Sequence, residues 1–320
     1  MESGNMLNYI IKRLILLIPI LFLVTLISFS LLFIIPGDPA ETILTGPGGG
    51  ADPKAVEAFR IKMGLDKPVY IQYFTWLESV LHGNLGYSYQ SKRPVIDTIL
   101  PRFHATLKLA IVSLIISLLI SIPLGIISAI KQYSAIDNVS MVGALLGVSM
   151  PNFWQGLLLI LLFAITLGWL PVAGYGDHGD LEHIILPAIT LGTSSAAITT
   201  RLMRSTMLET INQDYIQAAR AKGLSERVVI GKHALKNALI PVVTMIGLNF
   251  AYLLDGSVVV ETIFAWPGIG LLMVESIYMR DYPMIQGCIL FVAIIFIFVN
   301  LMVDILYTYL DPRIRYETKE

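Results

Sequence analysis

Long uncharged apolar runs recur along this chain, and they decide which solvent it folds in. Leu14–Ile35, Leu109–Ile130 and Ile285–Val303 contain no charged side chain. Each approaches or exceeds the roughly 20 residues that cross a hydrocarbon core about 30 Å thick. No water is available there for free backbone groups, so such runs cross as helices. Ala238–Val260 is equally apolar apart from one carboxylate, Asp255. Ile184–Thr200 is shorter and rich in small and hydroxyl residues, including Gly192, Thr193, Ser194 and Ser195. Val139–Leu170 is uncharged but too long for one straight crossing, about 48 Å at the helical rise. Pro151 and Asn152 mark a break in it, because a proline removes a helix hydrogen bond and clashes with the preceding turn. It counts as one span with a bend. Charged residues make up 14% of the chain and hydrophobic residues 55%, against about a quarter charged in soluble domains. The expectation is an all-α membrane protein with six transmembrane helices.

Lys12 and Arg13 precede the first run, which is longer than the roughly 7–15 apolar residues of a cleavable signal. It is expected to stay as the first span. With the N-terminus cytoplasmic, six spans put Lys131, then Arg201 through Lys236, then Arg313, Arg315 and Lys319 inside. The short outer loops, 171–183 and 261–284, carry only Arg280 as a basic residue. This follows the positive-inside rule. Both termini are then cytoplasmic, and Trp169 and Trp266 are expected at the outer interface, where indoles are favoured.

The expected organisation is a tail and first helix over 1–35 and a long extracytoplasmic loop over 36–103. A core of helices 2–6 spans 104–310, and a cytoplasmic tail covers 311–320. Within the long loop, Pro53–Met63 and Pro68–His82 begin with proline and place apolar residues at helical spacing. The net charge of -1 offers no basic excess for a nucleic-acid partner. The lone Cys288 forms no internal disulfide. No Gly-x-x-x-x-Gly-Lys-Ser/Thr loop occurs, so the chain does not hold ATP through a P-loop.

Between two apolar spans lies a polar, basic, helix-prone island over 214–236, inside an expected cytoplasmic coupling segment over 205–236. Gln217, Ala218, Ala219, Arg220, Ala221, Lys222, Gly223 and Leu224 form its centre. A basic helix of this kind can rest on anionic lipid. Lipid binding does not require small residues at 218, 219 and 221 with a glycine stop, whereas close approach of a partner's backbone does.

These residues resemble the permease subunits of bacterial binding-protein-dependent ABC importers, in the dipeptide, oligopeptide and nickel branch. That class carries a cytoplasmic Glu-Ala-Ala…Gly motif followed by Ile-x-Leu-Pro. Here Gln217-Ala218-Ala219 and Gly223 match its first half with Gln for Glu, while His233-Ala234-Leu235-Lys236 departs from the second. Ala219–Leu224 and His233–Pro241 instead match the variant of the peptide branch. Further stretches in the same order strengthen the resemblance: Pro36-Gly37-Asp38-Pro39, Gly83–Ser88, Glu261–Gly270, Arg280-Asp281-Tyr282-Pro283 and Asp311-Pro312-Arg313. The resemblance implies a type I importer permease. Its partners would be a second homologous permease, two cytoplasmic ATPases and an extracytoplasmic substrate-binding protein. It implies no cofactor in this chain, with ATP and Mg bound by the ATPases, and residues 217–224 as the ATPase-coupling segment. The cargo would be di- or oligopeptides, with glutathione also carried in the branch and nickel or a metal–ligand complex as the alternative.

Four other features bear on function. Asp255, an ionisable group inside a span, either lines the substrate pathway or is paired within the bundle. Ser194 and Ser195, in the run from Gly192 to Thr200, either line that pathway or serve helix packing. Asp177, His178, Asp180, Glu182 and His183 crowd one outer loop without a recognised ligand spacing, and no metal site is assigned to them. Glu261 and Asp281 are candidates for contacting the binding protein. Two rival classes fit less well. An ion-coupled secondary transporter would need internal repeats and several intramembrane charges. A membrane hydrolase would need a histidine within hydrogen-bond reach of an intramembrane serine.

Overall fold

The computed structural model describes residues 3–34, 40–41, 44, 52–62, 64–177, 180–255 and 257–310, with the backbone alone at 3–12, 32–34, 255 and 306–310. Among the described residues the regular elements are helices, with one isolated antiparallel bridge between Tyr87 and Pro94. In chain order they are α1 (Ser3–Ile34), α2 (Pro53–Lys62), α3 (Val69–Leu81), α4 (Val95–Ile130) and α5 (Ala135–Ser149). Next come α6 (Asn152–Leu159), continued by a π-helical segment Ile160–Thr166, then α7 (Leu181–Ile211) and α8 (Asp214–Ala221). A short α9 (Glu226–Val228) runs through a π segment, Val229–Ala234, into α10 (Leu235–Asp255). The last three are α11 (Val258–Ile263), α12 (Ile269–Tyr278) and α13 (Tyr282–Leu310).

Among the described residues five helices are long and apolar enough to cross a bilayer, and α5 with α6 and its π-helical continuation makes a sixth candidate bent by 107°. The break falls at Pro151, as the sequence predicts, and it turns the chain through slightly more than a right angle. Other boundaries move. The second span starts at Val95, so the border at 103/104 falls inside α4. The weak span over Ile184–Thr200 is the middle of a 31-residue helix. The span expected over Ala238–Val260 stops at Asp255, and Val258–Ile263 forms a separate helix.

The chain forms two compact units, with α4 and α13 contributing to both. The first unit comprises residues 1–105 and 267–297. In it the hydroxyls of Thr25 and Tyr73 lie 2.9 Å apart, and Phe29 meets the rings of Tyr73 and Trp76. Val95, Ile99, Ile269, Leu272, Met284 and Cys288 form its apolar core. Asp281 accepts hydrogen bonds from the Ser88 hydroxyl and from the backbone N–H groups of Tyr89 (3.0 Å) and Gln90 (3.3 Å). Two motifs separated by almost two hundred residues therefore meet at one carboxylate. Asp281 is 3% exposed, and the expectation that it greets a binding protein is corrected: it holds the 88–91 turn.

The second unit comprises residues 106–266 and 298–320. Helix α7 is its centre, packed by α5, α6, α10 and α11. A Cβ at Gly192 of α7 would stand 2.8 Å from the Ser113 carbonyl oxygen of α4, so only glycine allows these two backbones to approach so closely. Trp266 is fully buried and meets the Tyr175 ring edge-on. It is a core residue rather than the expected interfacial anchor, while Trp169 is 68% exposed. Glu261 is also fully buried, accepting from the hydroxyls of Thr106 and Ser257 at 2.7 Å each. That burial removes it, like Asp281, from any exposed docking surface, because a buried carboxylate needs such donors to offset lost hydration.

Candidate functional site

The coupling segment is smaller than its sequence limits of 205–236. Residues 205–211 complete α7, and 226–236 belong to the helical run that becomes α10. What stands between the two spans is Asn212 to Ser225, built around the eight-residue α8. Helix α8 is held by one face. Ile216 (0% exposed) and Ala219 (8%) enter a core with Met203 and Met207 of α7, Val229 and Ala234 of the π segment, and Ala238 and Val242 of α10. The Asn237 side chain donates to the Tyr215 hydroxyl at 2.7 Å, a second tie between α8 and α10.

Helical geometry explains the split among the alanines. At about 100° per residue, Ala219 sits about 60° from Ile216, whereas Ala218 and Ala221 lie about 150° round the helix. Ala218 and Ala221 are exposed, with Gln217, Arg220, Lys222, Gly223 and Leu224. The three-alanine face is corrected to two: Ala219 points into its own chain. Arg220 reaches forward to Glu226 (2.7 and 3.4 Å) across the turn that follows α8. That pair is exposed, so it adds little stability. Gly223 makes the turn at φ +79, and nothing lies within 4 Å of where its Cβ would be. An L side chain there is strained by the backbone alone, not by neighbours in this chain.

A second polar group lies along α7. Ser194 is half-buried, and Ser195 points a buried hydroxyl that has no hydrogen-bond partner among the described residues. Thr193 accepts from the Gln155 side-chain amide, and Thr199 accepts from Asn249 at 2.9 Å. Gln155 and Asn249 escaped the sequence reading, which looked for charges within apolar runs and passed over carboxamides. Asp255 ends α10, and its side chain lies outside the described residues. In the loop before α7, the Asp180 carboxylate accepts from the Asp177 N–H at 3.2 Å. His178 lies outside the described residues.

One further ionic contact was not legible in the sequence. Arg204 of α7 clamps Asp137 of α5 through two bonds, Nε to Oδ1 at 2.6 Å and Nη2 to Oδ2 at 2.8 Å. The Asp137 side chain is 3% exposed and that of Arg204 21%. Asp137 also accepts from the Tyr133 N–H (2.9 Å), while Ser134 caps α5 by accepting from the Asp137 N–H. The Ser-x-x-Asp spacing marks the helix start; the arginine lies 67 positions away and leaves no local signal.

A family model described as the binding-protein-dependent transport system inner membrane component matches residues 121–316, and its N-terminal companion matches 6–110. The chain belongs to this family. The glutathione transport system permease protein GsiC of Escherichia coli is 46% identical over 312 residues, covering 98% of this chain and all of that protein. The dipeptide transport system permease protein DppB of Alkalihalophilus pseudofirmus is 44% identical over 336 residues, covering 97% of this chain and all of that one. Among solved structures, an inward-facing form of the MetNI methionine ABC transporter aligns with 68% of this permease and 97% of its own chain, at TM-score 0.55 and 17% identity. That likeness concerns the fold alone. The permease is thus a multi-pass bacterial inner-membrane subunit of an ABC importer, a transport component rather than an ATPase, and works with ATPase and substrate-binding partners.

Proposed function

We propose that this permease, paired with a second permease of similar fold, forms the path by which di- or oligopeptides delivered by an extracytoplasmic binding protein enter the cell. Relatives named for glutathione and dipeptide transport support a peptide cargo. Two cytoplasmic ATPases bind and hydrolyse ATP with Mg, and the permease contributes no ATPase site. The observation that carries the reading is α8. It is fastened to α7 and α10 through Ile216 and Ala219 while it presents Gln217, Ala218, Ala221, Lys222, Gly223 and Leu224 outward. A helix fixed to two spans on one side and free on the other transmits displacement from whatever docks on it. ATP-driven closure of the ATPases would move α8 and, through this core, α7 and α10, the two-state element that such coupling requires. Ser194, Ser195 and Asp255, with Gln155 and Asn249, are the polar groups assigned to the path.

The test is Gly223→Val, with Gly223→Asn beside it, in the assembled transporter. Asparagine tolerates positive φ, so it separates backbone strain from bulk at the docking surface. Membrane insertion is expected to persist in both, while ATP-driven peptide uptake is lost in both. Full uptake by Gly223→Asn would remove the docking role of this position.

A further inference from the structure

Toward one end of the α1 span, the first unit forms an open cavity of about 690 Å³. Phe29 of α1, Phe59 of α2 and Trp76 of α3 give it aromatic walls. Its charged lining residues, among those described, are three exposed lysines, Lys62, Lys67 and Lys92. Gln286 of α13 also lines it. Its side chain is 6% exposed and its Nε2 has no hydrogen-bond partner among the described residues. Native interiors leave few buried donors unpaired, and one beside a cavity calls for an acceptor from a ligand or a water.

The depth of the cavity narrows the ligand. Phe29 lies on α1 about 9 Å, at the helical rise, inside the end of the apolar run Leu14–Ile35, and Gln286 lies near the start of Tyr282–Ile305. Gln286 is therefore near the level where hydrocarbon gives way to headgroups, and Phe29 lies at acyl-chain depth. Three lysines alone would attract any anion, but a small soluble anion would leave the aromatic walls uncovered. An uncharged apolar molecule would leave the ammonium cluster unanswered. A molecule with an anionic head and an apolar body meets both.

We propose that this cavity is a binding site for an anionic phospholipid. The phosphate would lie among Lys62, Lys67 and Lys92, an ester or headgroup oxygen would accept from the Gln286 amide, and the upper acyl carbons would cover Phe29 and Trp76. Basic pockets beside transmembrane helices bind lipid headgroups by this combination. It is a site distinct in chemistry from the α8 surface, which presents alternating charge and small residues.

The experiment uses the assembled transporter in nanodiscs of phosphatidylglycerol or phosphatidylcholine, with retained lipid counted by native mass spectrometry. The expected result is phosphatidylglycerol retained in preference to phosphatidylcholine. Each lysine neutralised should lower retention roughly fivefold, so Lys62→Gln/Lys67→Gln/Lys92→Gln together should lower it roughly a hundredfold. The corresponding triple arginine variant should keep it, and Gln286→Leu should weaken it without touching the lysines. If the triple glutamine variant does not assemble, Lys92→Gln alone makes the same comparison. Equal retention of the two lipids, or unchanged retention without the lysines, would overturn the proposal. So would displacement of the bound lipid by inorganic phosphate or by dialanine, which would make this a free-anion or cargo site.

Discussion

Two adjacent alanines should respond in opposite ways to the same substitution. Ala218 and Ala219 share chemistry and helix, but Ala218 is exposed and Ala219, 8% exposed, packs with Ile216, Met203 and Val229. Leucine is nearly as good a helix former as alanine, so Ala218→Leu should change the stability of the permease by no more than about 0.5 kcal/mol, as at most exposed sites. Ala219→Leu forces three more carbons into a filled core, an overpacking that costs about 1–3 kcal/mol. If partners dock on the outward face of α8, Ala218→Leu abolishes uptake in a protein of normal thermal stability. Ala219→Leu instead lowers the melting temperature of the purified transporter, and any uptake loss should scale with the amount of folded protein. The assays are peptide uptake in membrane vesicles, ATP hydrolysis stimulated by the binding protein, and thermal unfolding in detergent. Normal uptake by Ala218→Leu would refute the docking face, whatever Ala219→Leu does. Equal destabilisation by both would refute the assigned orientation of α8.

Arg204→Leu should destabilise the permease by about 3–5 kcal/mol, because it leaves the buried Asp137 carboxylate unpaired. Asp137→Asn in the same chain should recover part of that loss, and a thermal-unfolding double-mutant cycle checks the coupling. Burial, with the Asp281 charge and then Tyr282 adding to it, pushes the Tyr89 phenol up from 10.0 to about 12. The neutral phenol is the favoured form, so its contribution to stability is complete below pH 10 and is lost as the pH rises through about 12. Ultraviolet titration against a Tyr89→Phe control should show one late-ionising tyrosine. Asp281→Asn should move that ionisation to lower pH and loosen the 88–91 turn.

Apolar runs and helix breakers made much of the architecture legible. Membrane character, five spans with shifted ends and the break at Pro151 all follow from the absence of charge over a bilayer's length and from proline chemistry, which are local properties. The island from 214 onward was legible for the same reason, since polarity between spans is visible without coordinates. Its limits were less so. Hydropathy cannot see that α7 carries on to Ile211 with Arg201 and Arg204 inside it, because helices extend past the apolar stretch that marks them.

The sequence by itself determined the solvent of this protein, its helical class and, through ordered motifs, its family. Tertiary structure decided the roles of single side chains. It turned Ala219 inward and Ala218 outward, buried Trp266, Glu261 and Asp281 where exposure was expected, and joined Asp137 to Arg204. Those outcomes depend on contacts between residues far apart in the chain. Burial and pairing are properties of the neighbours a residue meets, and no local pattern in the sequence specifies them.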